Sequence, residues 1–189
     1  MIPLKKLFLF LFVLSVIGFS TQSVAADFAI GDWGTPKQNI IQTETRENFT
    51  PPGKQNFLVF KGELSIFKKT NIVYLFENNL LTDGYFDFLD EHILFQDYVE
   101  DYLIIQKQLS KKYELPTANE QIWHPDAQIL SKDQWGSAVA NDDLILKSSW
   151  HTKNSIITLQ LSYQRSRIHH LLSYQSKRPE MDVTTPDDF

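Results

Sequence analysis

The chain has 189 residues, no cysteine, 42% hydrophobic side chains and a formal net charge of −5 at pH 7. Without cysteine there is no disulfide framework, no thiolate metal site, no thiol nucleophile and no lipid-modified N-terminal cysteine. With acids in excess and no basic cluster, nucleic acid and anionic membrane surfaces are poor partners.

Residues 1–26 read as an export signal. Lys5 and Lys6 supply a charged start, Leu7 to Phe19 an apolar run, and Ser-Val-Ala-Ala a small-residue end. The apolar run is shorter than the roughly 20 helical residues that cross a bilayer, so no transmembrane span remains once it is removed. Cleavage after Ala26, with Val24 and Ala26 at the small-residue positions, leaves Asp27 to Phe189. Losing Lys5 and Lys6 takes the net charge from −5 to −7, since no acid lies within 1–26. The remaining length can bury a core without staples. The expectation is one α+β domain over 27–175 and a polar, flexible tail over 176–189. It places the protein in the periplasm or outside a bacterial cell.

Thr35-Pro36-Lys37-Gln38 predicts a helix start, with Thr35 capping, Pro36 at the first helical position and Gln38 closing a capping box. Ile40 and Ile41 give that helix an apolar face. The polar run from Thr43 to Lys54, with Pro51, Pro52 and Gly53, ends it as a loop. From Phe57 to Leu89 short β-rich runs follow: FLVF, ELSIF, NIVYLFE and GYFDF. Lys61-Gly62, Lys69-Thr70 and Asn78-Asn79 read as turns between them, which predicts an antiparallel meander. Alternation puts Leu64 with Ile66 and Phe86 with Phe88, and the run from Ile72 to Phe76, apolar on both faces, predicts the central strand.

Between Gln96 and Tyr113 the spacing of Tyr98, Tyr102, Ile105, Leu109 and Tyr113 predicts a helix with one buried stripe. Acids lead it, Lys111 and Lys112 close it, and Pro116 stops it. Residues 117–142, with Trp123, His124-Pro125 and Trp135, read as irregular. A second meander is expected over Leu144 to Trp150, Ile156 to Tyr163 and Arg167 to Gln175, where Ile157, Leu159 and Leu161 alternate with Thr158, Gln160 and Ser162.

The dipeptide Trp33-Gly34 precedes a helix whereas Trp135-Gly136 follows one, so the two are not equivalent positions. What recurs is the order of elements. A helix followed by strands over about 27–92, then again over about 93–175, predicts a tandem α-β-β-β architecture of two helix-plus-antiparallel-meander halves, each sheet needing the other half to cover it.

The segments WGTPKQNI, DYVEDYLIIQKQLSKKYELP, DQWGSAVAND, SSWHTKNSIITLQLSY and LLSYQS resemble a group of small exported bacterial proteins, mostly uncharacterised. Their pattern is a Trp-Gly before the first helix, a helix ending in Lys-Tyr-Gly-x-Pro, and a Trp-containing strand beside one that alternates Ile and Leu. Glu114 stands where that pattern has Gly, which puts a left-handed helix end in question. More distantly, such proteins resemble the tandem helix-plus-meander fold of beta-lactamase inhibitor protein and of small outer-membrane assembly lipoproteins. The resemblance implies an interaction or scaffold role and brings no catalytic residues.

The chain has no Gly-x-Ser-x-Gly, no His-Glu-x-x-His and no Gly-rich phosphate loop. The acidic stretch Asp83, Asp87, Asp90, Glu91, His92, Asp97, Glu100 and Asp101 has oxygen and nitrogen donors, but its spacing matches no calcium loop and reads as solvated charge. His169 and His170, adjacent on one strand, face opposite ways, and His170 on the apolar side reads as a hydrogen-bonded core histidine. No catalytic residue, metal site or cofactor is therefore assigned. The residues expected to bind are Trp123, Trp135 and Trp150, with the outer sheet face and the 117–142 segment as the surface and an envelope or secreted protein as the partner. Two other functions are alternatives: a metal-assisted hydrolase using Asp87, Asp90, His92 and a histidine from the second half, and a carbohydrate-binding module using the aromatic side chains.

Overall fold

A computed structural model describes residues 26–51, 53 and 55–177. Residues 1–25 of the segment expected to be an export signal, and residues 178–189 of the tail expected from 176, lie outside the described residues. The fold is mixed α+β and mostly sheet. Among the described residues three helices, α1 (Lys37–Thr43), α2 (Phe95–Tyr113) and α3 (Trp135–Ala140), accompany eight strands. These are β1 (Glu47–Asn48), β2 (Phe57–Leu64), β3 (Phe67–Glu77), β4 (Leu80–Phe88), β5 (Ala118–Trp123), β6 (Leu144–His151), β7 (Ser155–Gln164) and β8 (Arg167–Ser176).

One continuous antiparallel sheet runs in the order β1-β2-β3-β4-β8-β7-β6-β5. The separate sheets expected from the sequence are thus joined edge to edge, by the pairing of β4 with β8 from Asp83↔Gln175 to Phe88↔His170. β3 is the middle strand of its own meander, between β2 and β4, as expected, while β4 and β8 form the centre of the whole sheet. Both faces of β3 are apolar because Val73 sits in a cross-strand row between Val59 and Tyr85, and those neighbours bury it without any covering helix.

Strand alternation sends Phe60, Ile72, Phe86, Leu172 and Leu159 to one face, in register across β2, β3, β4, β8 and β7. There they join Ile40 of α1, Val99, Tyr102, Ile105 and Leu109 of α2, and Ala138 and Val139 of α3 in one hydrophobic cluster. All three helices therefore sit on the same side of the sheet. The N-terminal segment adds Phe28, whose ring lies on Gly84; a Cβ there would come within 2.3 Å of the ring, so the strand needs glycine at that position. Gly136 plays the same part for α3, since a Cβ would stand 2.4 Å from the backbone of Phe95 and Gln96 in α2.

Several boundaries differ from expectation. Lys61-Gly62 and Lys69-Thr70 lie inside β2 and β3, and the hairpin turns instead at Ser65, at φ 58°, next to a register shift between Gly62 and Leu64. Ile66 thereby leaves the strand and stands exposed. Asn78-Asn79 does form the β3–β4 turn, both residues at positive φ. Thr35 does not cap α1. Pro36 takes the N-cap position with no side-chain bond, and the Lys37 N–H donates to Asn79 O at 2.8 Å, so the helix start is tied to the β3–β4 turn. The segment 117–142 is not irregular throughout: it holds the edge strand β5, a single 3-10 turn at Lys132–Gln134, and α3.

Candidate interaction surface

The face opposite the helices is where the sheet is open. Its central row runs Val59, Val73, Tyr85, Ser173, Thr158, Ser149 and Ala118 across seven strands. Most of these side chains are half-buried, against the fully buried residues that alternate with them. Asp87, Leu171, Gln160 and Lys147 form the adjacent row. The surface is mixed: apolar toward β2–β4, hydroxyl-rich toward β6–β8, with Asp83, Asp87 and Lys147 supplying charge.

The three tryptophans expected to bind lie elsewhere. Trp150 faces the core, 1% exposed, and its indole N–H donates to Glu114 O at 3.1 Å. Trp123 ends the edge strand opposite Leu144 and packs half-buried against the core. Trp135 opens α3, also half-buried, with the Lys132 ammonium 5.9 Å from its ring centre. Trp33 is a fourth core residue, its indole N–H bonded to Ser155 Oγ at 2.9 Å. Tyr85, with Phe57 beside Val59 on β2, is an aromatic of the open face that the sequence reading did not single out; its place in the alternation, between Gly84 and Phe86, was the available signal. Ile93, Leu94 and Phe95 were also missed. They stand exposed at the head of α2, Ile93 at 97%, and helical periodicity does not mark residues that precede the helix, as Ile93 and Leu94 do, or open it, as Phe95 does.

The acidic stretch is dispersed. Asp87 approaches the Arg167 guanidinium at 3.6 Å on the open face. Asp90 accepts the backbone N–H groups of Lys68 and Lys69 at 3.2 and 2.9 Å, holding the start of β3. His92 meets Asp101 at 2.7 Å, a contact that steadies the approach to α2. Among the described residues no three His, Cys, Asp or Glu side chains gather as metal ligands. The remaining histidines do not converge: β5–β6 register puts His124 and His151 near opposite ends of β6.

His169 and His170 do face opposite sides. His170 is in the core, but neither ring nitrogen meets a hydrogen-bond partner among the described residues, contrary to the expectation of a hydrogen-bonded histidine. It packs edge-on to Phe67 and Phe88. Burial, reinforced by the nearby His92, lowers its pKa to about 3, so the ring is neutral.

Other polar groups of the core are paired in ways that tie elements together. The Tyr74 hydroxyl donates to Glu44 Oε2 at 2.6 Å, and Arg46 donates to the same carboxylate at 2.7 and 2.8 Å. Burial raises the Glu44 carboxyl, and the bonds from Arg46 and Tyr74 more than reverse it, leaving its pKa below the ordinary value. Tyr102 and Gln106 of α2 both reach Ser148 Oγ at 2.7 Å, and Gln106 continues to Asn119 of β5 at 3.0 Å. On the helix side, a cleft of 320 Å³ opens between the N-terminal segment and α2. No family model, curated protein or solved structure matches the chain.

Proposed function

We propose that the protein is an exported, non-catalytic binding or scaffold protein of the bacterial envelope, periplasmic or secreted after loss of residues 1–26, and that it engages another protein through the open face of its sheet. The observation that carries this reading is the row from Val59 to Ala118, a strip of mostly half-buried side chains that no described layer covers. Partly exposed apolar side chains next to hydroxyl and charged groups are the composition of a protein-binding patch. A scaffold role is supported by the inner polar groups, since the Glu44, Ser148 and His92 clusters each join separate elements. We further read the chain as two helix-plus-meander halves. The sheet order supports this, because β1-β2-β3-β4 and β5-β6-β7-β8 run inward from the two edges and meet at β4 and β8.

The test places a photo-crosslinking residue at Thr158, in the middle of the strip, and separately at Lys107, exposed on α2. In the native envelope Thr158 should capture a discrete protein and Lys107 should not. Thr158→Arg should then weaken that capture at least tenfold, the order expected for a charge placed in the centre of an interface, without changing the unfolding midpoint. Capture from Lys107 alone would overturn the assignment of the face. N-terminal sequencing of the protein from the envelope checks export separately, with Asp27 the expected first residue.

A further inference from the structure

We propose that the cleft between the N-terminal segment and α2 binds a small organic anion with an apolar tail, of the medium-chain carboxylate class, and that removal of the leader completes the site. The second part rests on the export reading given above; the first does not.

The helix layer is not continuous over the sheet. The N-terminal segment covers Gly84 and its neighbours, the C-terminal half of α2 lies beyond, and the floor between them is Leu64, Phe86 and Leu172. Ile105 and Leu109 of α2 form the wall. At 320 Å³ the cleft stands at the small end of ligand pockets, a size suited to a short-tailed ligand such as octanoate. Tyr113 of α2 and Tyr174 of β8 also line the cleft, and burial, reinforced by the neighbouring Tyr113, raises the Tyr174 pKa, so its hydroxyl carries no charge.

The mouth is different. An adjoining hollow of 220 Å³ shares Ala26, Asp27, Lys112 and Tyr113 with the cleft and adds Lys153. The Lys112 ammonium lies 4.8 Å from the Tyr113 ring centre and makes no ion pair among the described residues. The opposing charge is Asp27, and it is already engaged: Oδ2 accepts the Trp33 N–H and Oδ1 the Asn154 side-chain N–H, each at 3.1 Å. Ser65 donates to Gln108 Oε1 at 2.8 Å across the rim, which turns the Gln108 amide N–H groups free to donate. Two lysines thus face one committed carboxylate, an arrangement complementary to an anionic head above an apolar tail. Cleavage after Ala26 would turn the Asp27 nitrogen into an α-ammonium beside Lys112, adding a third cation at the same mouth.

The chain 27–189, prepared with a free Asp27 amine, tests both parts. Octanoate titrated by NMR should shift the methyl signals of Leu64, Leu109 and Leu172, and octylammonium should bind at least tenfold more weakly. Lys112→Glu should weaken octanoate about tenfold. Gln108→Trp, at an exposed position that roofs the cleft, should abolish the methyl shifts while leaving the unfolding midpoint unchanged. Equal binding of octanoate and octylammonium, or shifts confined to other parts of the protein, would overturn the site. Acetylating the Asp27 amine should cost several-fold in affinity; no change would overturn the role of leader removal alone. If the envelope protein begins at a residue other than Asp27, the cleavage reading fails, while octanoate binding by 27–189 still decides the cleft.

Discussion

His170 places an imidazole between Phe67, Phe88 and Tyr102, with ring centres 5.2, 5.0 and 6.1 Å away and no polar partner for either nitrogen. An unfolded histidine protonates around 6.5, the folded one near 3. Between those values the unfolded chain holds more protons than the folded one, so stability is complete above about pH 6.5 and falls on acidification toward pH 3, on the order of 1 kcal/mol per pH unit. His170→Leu removes the proton site and two unsatisfied nitrogens from an apolar pocket. The variant should match or exceed the parent at pH 7 and lose far less stability by pH 4.5, measured as urea midpoints at the two values. Parallel losses in the two proteins would mean that the ring is not what titrates. Below about pH 4.5, the ordinary value of a glutamate, both should weaken, because the unfolded chain then takes up a proton that the folded Glu44 carboxylate, held low by its bonds from Arg46 and Tyr74, resists. Alternation along β8 is enough to put His169 and His170 on opposite faces. It says nothing about hydrogen bonds, since the groups around His170 come from β3, β4 and α2, far away in sequence.

The main helix was legible because its evidence is local: Tyr102, Ile105 and Leu109 recur at helical spacing, and all three are buried in α2. Its end was legible as a problem. Glu114 adopts φ 69° and ψ −163°, a region that suits glycine and not an L side chain. The strain is held in place by the Trp150 indole N–H on the Glu114 carbonyl. Glu114→Gly should relieve roughly 1–3 kcal/mol of backbone strain and return somewhat less than 1 kcal/mol through the greater freedom of the unfolded chain. The expected net is a stabilisation of about 1 kcal/mol and a rise of roughly 2–4 °C in the unfolding midpoint, read by calorimetry. A fall would show that the glutamate side chain contributes more than its backbone costs. The short elements were not legible for the opposite reason. β5 has an exposed middle, so no period of two appears in Ala-Asn-Glu-Gln-Ile-Trp. In α3, Gly136 weakens local helix propensity and is required only by its contact with the backbone of α2.

Two meanders can be read from the sequence, but the strand that joins them cannot, because neither β4 nor β8 carries a local mark of its partner. The junction makes a claim about folding. The β4–β8 pairing spans the seam, the Trp33 indole reaches Ser155 of β7, and Phe28 packs on both Gly84 and Tyr174. The buried cluster runs without a break from Leu58 in β2 to Leu146 in β6. If the halves depend on one another to this degree, neither has a covered core alone, and the chain should unfold in one step. Far-UV circular dichroism, tryptophan fluorescence and hydrogen exchange of β3 and β7 amides should give the same urea midpoint. Leu172→Ala, at the seam and 4% exposed, should lower that midpoint for both strands together, by about 2–5 kcal/mol in stability. A protein of independent halves would respond differently: β7 and β8 would lose protection while β2 and β3 kept theirs, and the fluorescence transition would separate from the dichroism. Coincident loss would mean that the open face of the sheet is one rigid surface, since the strands that carry Tyr85 and Thr158 could not loosen independently.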